Sequence, residues 1–531
     1  MARRLIFAVI DGCGPEQLRR AIDQGRAPLL ARAVREGAMH ESIAAFPSVT
    51  PVCATALATG ARQDGHRIPG MNWWDRSRGR YVEYGSSFTA SRRLGIARQL
   101  ADTVYNLNGR HLAPELPTVF EALDDRGVRT AGTTYLVYRG RYRHELATGT
   151  TINRAVAAVF RRPVMGPREL FYADLFASRD VPCHSQFGMP GQRDQHTGCA
   201  VAYIVEHDLV DFALMSLPDN DTHSHKQGPE AQVDTIAAAD RQLTRVADAA
   251  GGIDRFFAEW ALVVASDHGH ARIDRVASVR SAFERFGIVG PTDPESGAGR
   301  RPSRAARRGA PEPRIAFCPN SRAAMVYVLD REERDALLPE VVDAARAADG
   351  VELVVWRDDA GGHIASGPDL PDAHLRFRPA GDAPPDEGWT TIRDERGGTW
   401  HVDGDLDLVG LRVVDGRASS ASHPDPLARC WSALACATSG DVLLSAAPGV
   451  EFPDFGGVHH RGAGSHGSLR AEDSTGILVH CGVGRAVGEG PSDDDPRGNP
   501  ALDPDAWSIA DATPMIVRHF DMGRDADRES P

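Results

Sequence analysis

Phe46-Pro47-Ser48-Val49-Thr50-Pro51-Val52-Cys53-Ala54-Thr55-Ala56-Leu57-Ala58-Thr59-Gly60 is the stretch on which the reading of this chain turns. Thr50 stands where a helix begins. It suits the N-cap, Pro51 suits the first helical position, and Val, Ala, Leu and Thr run on to a terminating Gly60. A hydroxyl is thereby held at a helix N-terminus, whose free N–H groups and partial positive charge favour an alkoxide and bind phosphate oxygens. An isolated Thr-Pro is most often an ordinary cap. Asp and His residues at the ends of other predicted strands change that reading here.

Upstream, Leu5-Ile6-Phe7-Ala8-Val9-Ile10 is apolar throughout, as in a strand covered on both faces, and ends on Asp11-Gly12-Cys13-Gly14. A helix over 15–37 and a short strand over 40–45 lead to Thr50. Downstream lies a loop with His66, Asn72, Trp73 and Trp74, then a polar, weakly periodic stretch to about residue 110. A helix opens at 116–123, a strand spans 129–137, and 138–144 follow it with Arg139, Arg141 and Arg143. A helix over 194–207 precedes the strand 211–217, which delivers Pro218-Asp219-Asn220-Asp221-Thr222-His223-Ser224-His225-Lys226-Gln227-Gly228-Pro229. A long helix over 230–250 precedes the strand 261–265 and Ser266-Asp267-His268-Gly269-His270. This alternation predicts an α/β fold with a largely parallel central sheet flanked by helices, ligands binding beyond the carboxyl ends of its strands.

Residues 291–313, rich in Gly, Pro and Arg, read as a flexible linker. Short strand-like runs at 322–329, 351–356, 375–378 and 400–402 read as a smaller α+β insert or cap. The βα rhythm returns at 441–446, continues through the strand 476–480 and an acidic loop at 488–505, and closes with a helix over 508–521. The expected organisation is a core of 1–290 and 425–531, with linker and insert at 291–424.

At 531 residues the chain suits a large core carrying such an insert. Its formal net charge of −13 argues against binding to nucleic-acid polymers or anionic membranes. An anionic substrate then needs local cations, supplied by metal ions or clustered Arg. No apolar run reaches ~18 residues, so no membrane span is expected. The N-terminal apolar run is too short for a signal peptide. Eight scattered cysteines without a C-x-x-C pair read as reduced thiols of a cytoplasmic protein.

Asp11, Asp267 and His268 each follow a buried strand immediately. Asp221 and His225, four apart, share one face of a helical turn, a common way to offer one metal two ligands. Asp219 and His223 offer the same spacing in a second register, and spacing alone does not choose between the two. His466 stands in the Gly-rich loop Gly462-Ala463-Gly464-Ser465-His466-Gly467.

These stretches, with Ala58-Thr59-Gly60 and His66, stand in an order that resembles the alkaline phosphatase superfamily and, within it, the nucleotide pyrophosphatase/phosphodiesterase branch. The resemblance covers about 4–290 and 425–523. It implies that Asp11, Thr50, Asp267 and His268 hold one divalent ion and that Asp221, His225 and His466 hold the other. It further implies that Thr50 is a nucleophile forming a phospho-enzyme. Zinc fits this branch and these ligand types; manganese, used by related phosphomutases, fits them too. The implied substrate is a small phosphate compound, a diester or nucleotide pyrophosphate.

Departures from the branch pattern are Cys53-Ala54, where Asn-His is common, and Met71, where strict spacing expects a phosphate-contacting Asn, so that Asn72 is a candidate only if the loop is shifted by one. Arg139, Arg141 and Arg143 are candidate phosphate contacts, against the alternative of a solvated basic loop. Trp73 and Trp74 offer an aromatic wall for a leaving group or buried core. The competing enzymes are a phosphomonoesterase, a phosphonate hydrolase and a phosphomutase. A sulfatase lacks its C-x-P-x-R context here. A catalytically silent metal-binding scaffold is the reading from another class, and it has no need of an exposed nucleophile.

Overall fold

The computed structural model describes residues 4–146, 162–172, 175–183, 192–290, 311–370, 373–381, 387–484 and 505–529. The strand Arg4–Ile10 lies in the middle of a nine-stranded sheet, and every residue of it after Arg4 is buried. Helices cover both faces, which is why the strand is apolar without alternation. Phe212–Leu217 and Trp260–Ala265 flank it in parallel, with Ile10 beside Leu217 and Val9 beside Ala265. The three strands end level, so Asp11, the segment after Leu217 and Asp267 leave the sheet from one edge.

Thr130–Thr133 and Glu169–Tyr172 continue the parallel set. Thr475–Cys481 runs antiparallel between Trp260–Ala265 and Ala38–Ile43. Because it is reversed, it starts at the edge where the parallel strands stop, and the loop before it brings His466 there. The expected α/β fold with a largely parallel sheet is what the chain adopts.

One face of the sheet packs on the helices Pro15–Asp23, Pro28–Glu36, Arg193–Glu206 and Gln232–Ala249. The single helix expected over 15–37 is interrupted at Gly25, whose φ of 67° is left-handed, and restarts at Pro28. The other face packs on Thr50–Thr59, Val119–Asp124 and Ala512–Glu529.

A second sheet of ten strands shares that core, with Met325, Leu353 and Val402 in the same apolar cluster as Leu5 and Leu57. Helix Arg334–Arg346 covers its opposite face. Val442–Ala446, read above as the return of the core alternation, instead pairs antiparallel between Ala323–Val328 and Val351–Asp358 of this second sheet. A five-residue apolar run carries no signal for which sheet receives it.

Of the expected linker, 291–310 lie outside the described residues, as does the acidic loop up to residue 504. Cys183 and Cys199 form a disulfide, so the expectation of eight reduced thiols, and with it the thiol argument for a cytoplasmic compartment, does not hold. Among the described residues no helix is long and apolar enough to cross a membrane.

Candidate active site

Thr50 is the first residue of helix Thr50–Thr59, one position later than the expected cap; extended Val49 occupies the N-cap. Pro51 loses nothing there, since its absent N–H would be unpaired in the first turn. Gly60, at φ 70°, ends the helix by donating to the Ala56 carbonyl. Every residue of the helix after Thr50 is buried, whereas Thr50 is partly exposed. Its Oγ1 lies 3.3 Å from His268 Nε2.

That nitrogen is also 3.4 Å from Asp267 Oδ2 and 3.7 Å from Asp11 Oδ1. Asp267 Oδ1 accepts the N–H groups of Gly12 at 3.1 Å and His268 at 3.0 Å, which aims Oδ2 inward. Both Oδ2 of Asp267 and Oδ1 of Asp11 are buried without a hydrogen bond. Burial, then the charges of Asp267 and Asp221, push the Asp11 carboxyl well above the usual range. Orphaned carboxylate oxygens crowded this way are costly unless a cation sits among them.

A second cluster centres on Asp221 Oδ1, which is 2.9 Å from His270 Nε2, 3.4 Å from His225 Nε2 and 3.6 Å from His466 Nε2. Asp221 and His225 stand one turn apart on helix Asp219–Gln227. Burial alone would raise the Asp221 carboxyl, but the three imidazoles outweigh it and hold it well below the usual range.

Three of the inward rings have an anchor behind them, whereas Nδ1 of His270 is buried without a partner among the described residues. Nδ1 of His225 bonds to the Gly464 carbonyl at 2.9 Å, that of His466 to Ser48 at 2.7 Å, and that of His268 to Gly269 at 3.1 Å. A carbonyl accepts only, so Nδ1 carries the proton and Nε2 keeps its lone pair. Burial pulls His225 down to about 4, and burial together with the neighbouring His268 ring pulls His466 well below its ordinary value. Both are neutral at neutral pH.

Ligand atoms of Asp11, Asp267 and His268 lie within 4.8 Å of one another, as do those of Asp221, His268, His270 and His466. His268 belongs to both sets, so the clusters adjoin. Imidazole and carboxylate donors that converge on buried, unsatisfied oxygens suit divalent transition-metal ions.

His270 is a clustered residue to which the sequence pattern assigns no role. The available signal was its position two after His268, which in extended chain puts both side chains on one face. A Cβ on Gly12 would stand 2.6 Å from His270 Nε2, so this approach, at φ 65°, requires glycine. Asn220 Nδ2 donates to the Asp11 carbonyl at 2.8 Å, and Gln232 bonds both Gly12 and Gly14, fixing the loop that carries Asp11. The His466 loop is tied to the Thr50 helix by Ser48, whose N–H donates to Gly467 and whose Oγ accepts from it.

The other candidates stand elsewhere. Asp219 pairs with Arg193 at 3.0 Å, and among the described residues His223 has no hydrogen bond or ion pair. Asn72 sits in the hairpin Asn72–Asp75/Arg80–Glu83 and turns its amide onto the Pro319 carbonyl of the second sheet. Arg139 pairs with Glu121, Arg141 with Glu121 and Asp125, and Arg143 with Glu145, so these guanidinium groups brace a loop instead of converging on Thr50. Trp73 and Trp74 are buried, the core alternative. His66 is fully buried and accepts the Ile68 N–H at Nδ1. A groove of ≈ 870 Å³ on the second sheet, lined by Trp356, His363 and His374 among others, includes none of the clustered residues.

The sequence profile of the type I phosphodiesterase / nucleotide pyrophosphatase family matches residues 5–402. Similar solved structures include phosphonoacetate hydrolase from Sinorhizobium meliloti 1021 in complex with phosphonoformate, 17% identical, covering 98% of this chain and 96% of that one at a TM-score of 0.51. Human ectonucleotide pyrophosphatase / phosphodiesterase 5 is 11% identical over 98% of this chain and 95% of that one, also at 0.51. An inactive murine form of the latter enzyme, in complex with AMP, is 10% identical with the same coverage and score. At such identities the likeness is one of fold. No curated protein matches the chain.

Proposed function

This chain belongs to the type I phosphodiesterase / nucleotide pyrophosphatase family, a metal-dependent family of phosphoric ester hydrolases, and from that premise we propose that it cleaves small phosphodiesters, nucleotide-like ones included, through Thr50. Asp11, Thr50, Asp267 and His268 would hold one divalent ion, and Asp221, His225 and His466 would hold a second. When bound, such a pair lowers the pKa of the attacking hydroxyl and offsets charge on the phosphoryl oxygens; zinc suits the donors, with manganese the alternative.

The observation that carries this reading is the convergence on His268 Nε2 of the one partly exposed residue in its helix and two unsatisfied buried carboxylate oxygens. Thr50 Oγ1 attacks phosphorus in line with the departing oxygen, forming a phosphothreonine ester and releasing the first alcohol. Water then cleaves that ester in a second in-line displacement and regenerates the hydroxyl. Backbone N–H groups of the first turn add positive potential beside the transferring group.

The preference for diesters rests on charge. A monoester dianion carries one more negative charge to be matched in the transition state, and Arg139, Arg141 and Arg143 are neutralised by carboxylates. The test is kcat/KM for bis-p-nitrophenyl phosphate against p-nitrophenyl phosphate, with zinc and again with manganese. A clear diester preference is expected. A monoester preference with both ions would move the enzyme to the phosphomonoesterases, and no turnover of either would favour the scaffold.

A further inference from the structure

Helix Asp219–Gln227 carries two ligands of the proposed second ion, yet its sequence, DNDTHSHKQ, does little to hold it. Only Asn220 and Ser224 are buried, and the Pro218 N-cap offers no side-chain bond to the first turn. Orphan N–H groups at such a start need a partner from elsewhere. The first of them, that of Asp219, finds it at the start of another helix, Arg193–Glu206.

Asp219 N–H donates to Asp194 Oδ1 at 3.1 Å, and in return Asp194 N–H donates to Asp219 Oδ2 at 3.2 Å. Arg193 Nε donates to Asp219 Oδ1 at 3.0 Å, while Nη2 donates to the Pro218 carbonyl at 3.2 Å and to Thr222 Oγ1. One guanidinium thus grips Asp219, Pro218 before it, and Thr222, the residue immediately after Asp221. The Arg193–Asp219 pair is mostly buried, 22% and 13% exposed, where charge-assisted bonds hold geometry better than surface pairs do.

We propose that Arg193 is the positioning residue of the second metal set, locking the first turn of helix Asp219–Gln227 so that Asp221 faces His225, His270 and His466. The proposal rests on the ion assignment made above. Arg193 touches no reacting atom in it; it acts through Asp219 and Thr222. A guanidinium is suited to this because its planar fork serves several acceptors at once, which an ammonium on a flexible stem does not.

The experiment uses the full-length protein stripped of metal and titrated with Zn²⁺ against a chromophoric chelator, then with Co²⁺ followed by visible absorption. Arg193→Gln is expected to weaken one of the two ions by about 10–100-fold and alter that ion's cobalt spectrum, leaving the other ion unchanged. Arg193→Lys, which keeps the charge and part of the bonding, is expected to fall between, and it carries the comparison if the Gln variant does not fold. Asp221→Ala is the reference and should lose the same ion outright. If Asp221→Ala loses an ion while the Arg193 variants bind both as wild type does, Arg193 is only an ion pair and the proposal is overturned. If Asp221→Ala keeps both ions, the ion assignment itself fails and the proposal falls with it.

Discussion

Arg322 and Asp473 form an ion pair at 2.9 Å with both side chains out of solvent, 1% and 0% exposed. The arginine's backbone N–H also donates to the His466 carbonyl at 3.0 Å, and Asp473 accepts both the N–H and the hydroxyl of Ser468 at 2.7 Å. A turn of the second sheet is thereby fastened to the loop that presents His466, which gives that sheet a part in the site.

Removing one partner of a buried pair leaves an uncompensated charge, so Arg322→Met is expected to lower the unfolding free energy by about 3–5 kcal/mol. Urea unfolding checks this as a lower midpoint at unchanged slope. A loss below about 1 kcal/mol, the size of a surface pair, would mean that Asp473 is compensated by its serine bonds alone.

Thr50→Ala should reduce kcat/KM on a diester by on the order of 10³-fold or more and abolish any acid-trapped phosphoprotein. Thr50→Ser keeps the hydroxyl and should retain measurable turnover and the trapped species. A fully active Thr50→Ala protein ends the covalent route.

The two registers of Asp and His on helix Asp219–Gln227 separate by metal content. The purified protein should hold about two divalent ions per chain. Asp267→Asn, His225→Ala and His466→Ala should each remove one with most of the activity. His223→Ala, lacking any hydrogen bond or ion pair among the described residues, should keep both ions. Asp219→Ala should be intermediate through its bond to Arg193. Loss of an ion in His223→Ala with retention in His225→Ala would reverse the register.

His66 sets an acid-sensitive part of the stability. Its imidazole is fully buried and accepts the Ile68 N–H, and burial lowers its pKa from 6.5 to about 3. The unfolded chain takes up this proton near pH 6.5 and the folded chain does not. The contribution is therefore complete above pH 6.5 and declines as pH falls toward 3, by about 3 kcal/mol at pH 4. Metal-free wild type and His66→Asn, unfolded in guanidinium at pH 7 and pH 4, should differ in pH dependence by that amount. Equal dependence would show that His66 already protonates in the fold.

Much of the candidate cluster is legible in the sequence because its carriers are local. A parallel strand covered on both faces is an unbroken apolar run, so the polar residue that ends it, Asp11 or Asp267, marks the sheet edge. Pro51 and Gly60 bracket the Thr50 helix through backbone preferences that need no neighbours. The spacing of Asp221 and His225 is likewise a property of one helical turn.

What the sequence by itself determined, then, is the α/β rhythm and the strand-end acids and imidazoles, since period, capping and turn chemistry act within a few residues. Only the tertiary structure decided the rest. It put Val442–Ala446 in the second sheet, joined Cys183 to Cys199, and committed Arg139, Arg141 and Arg143 to Glu121, Asp125 and Glu145. It also turned His270 onto Asp221 and stood Arg193 over the turn before it. An ion pair, a disulfide or a second sheet's edge depends on which distant groups packing brings within about 3–4 Å, and charge or apolar character along the chain is the same whichever partner is found.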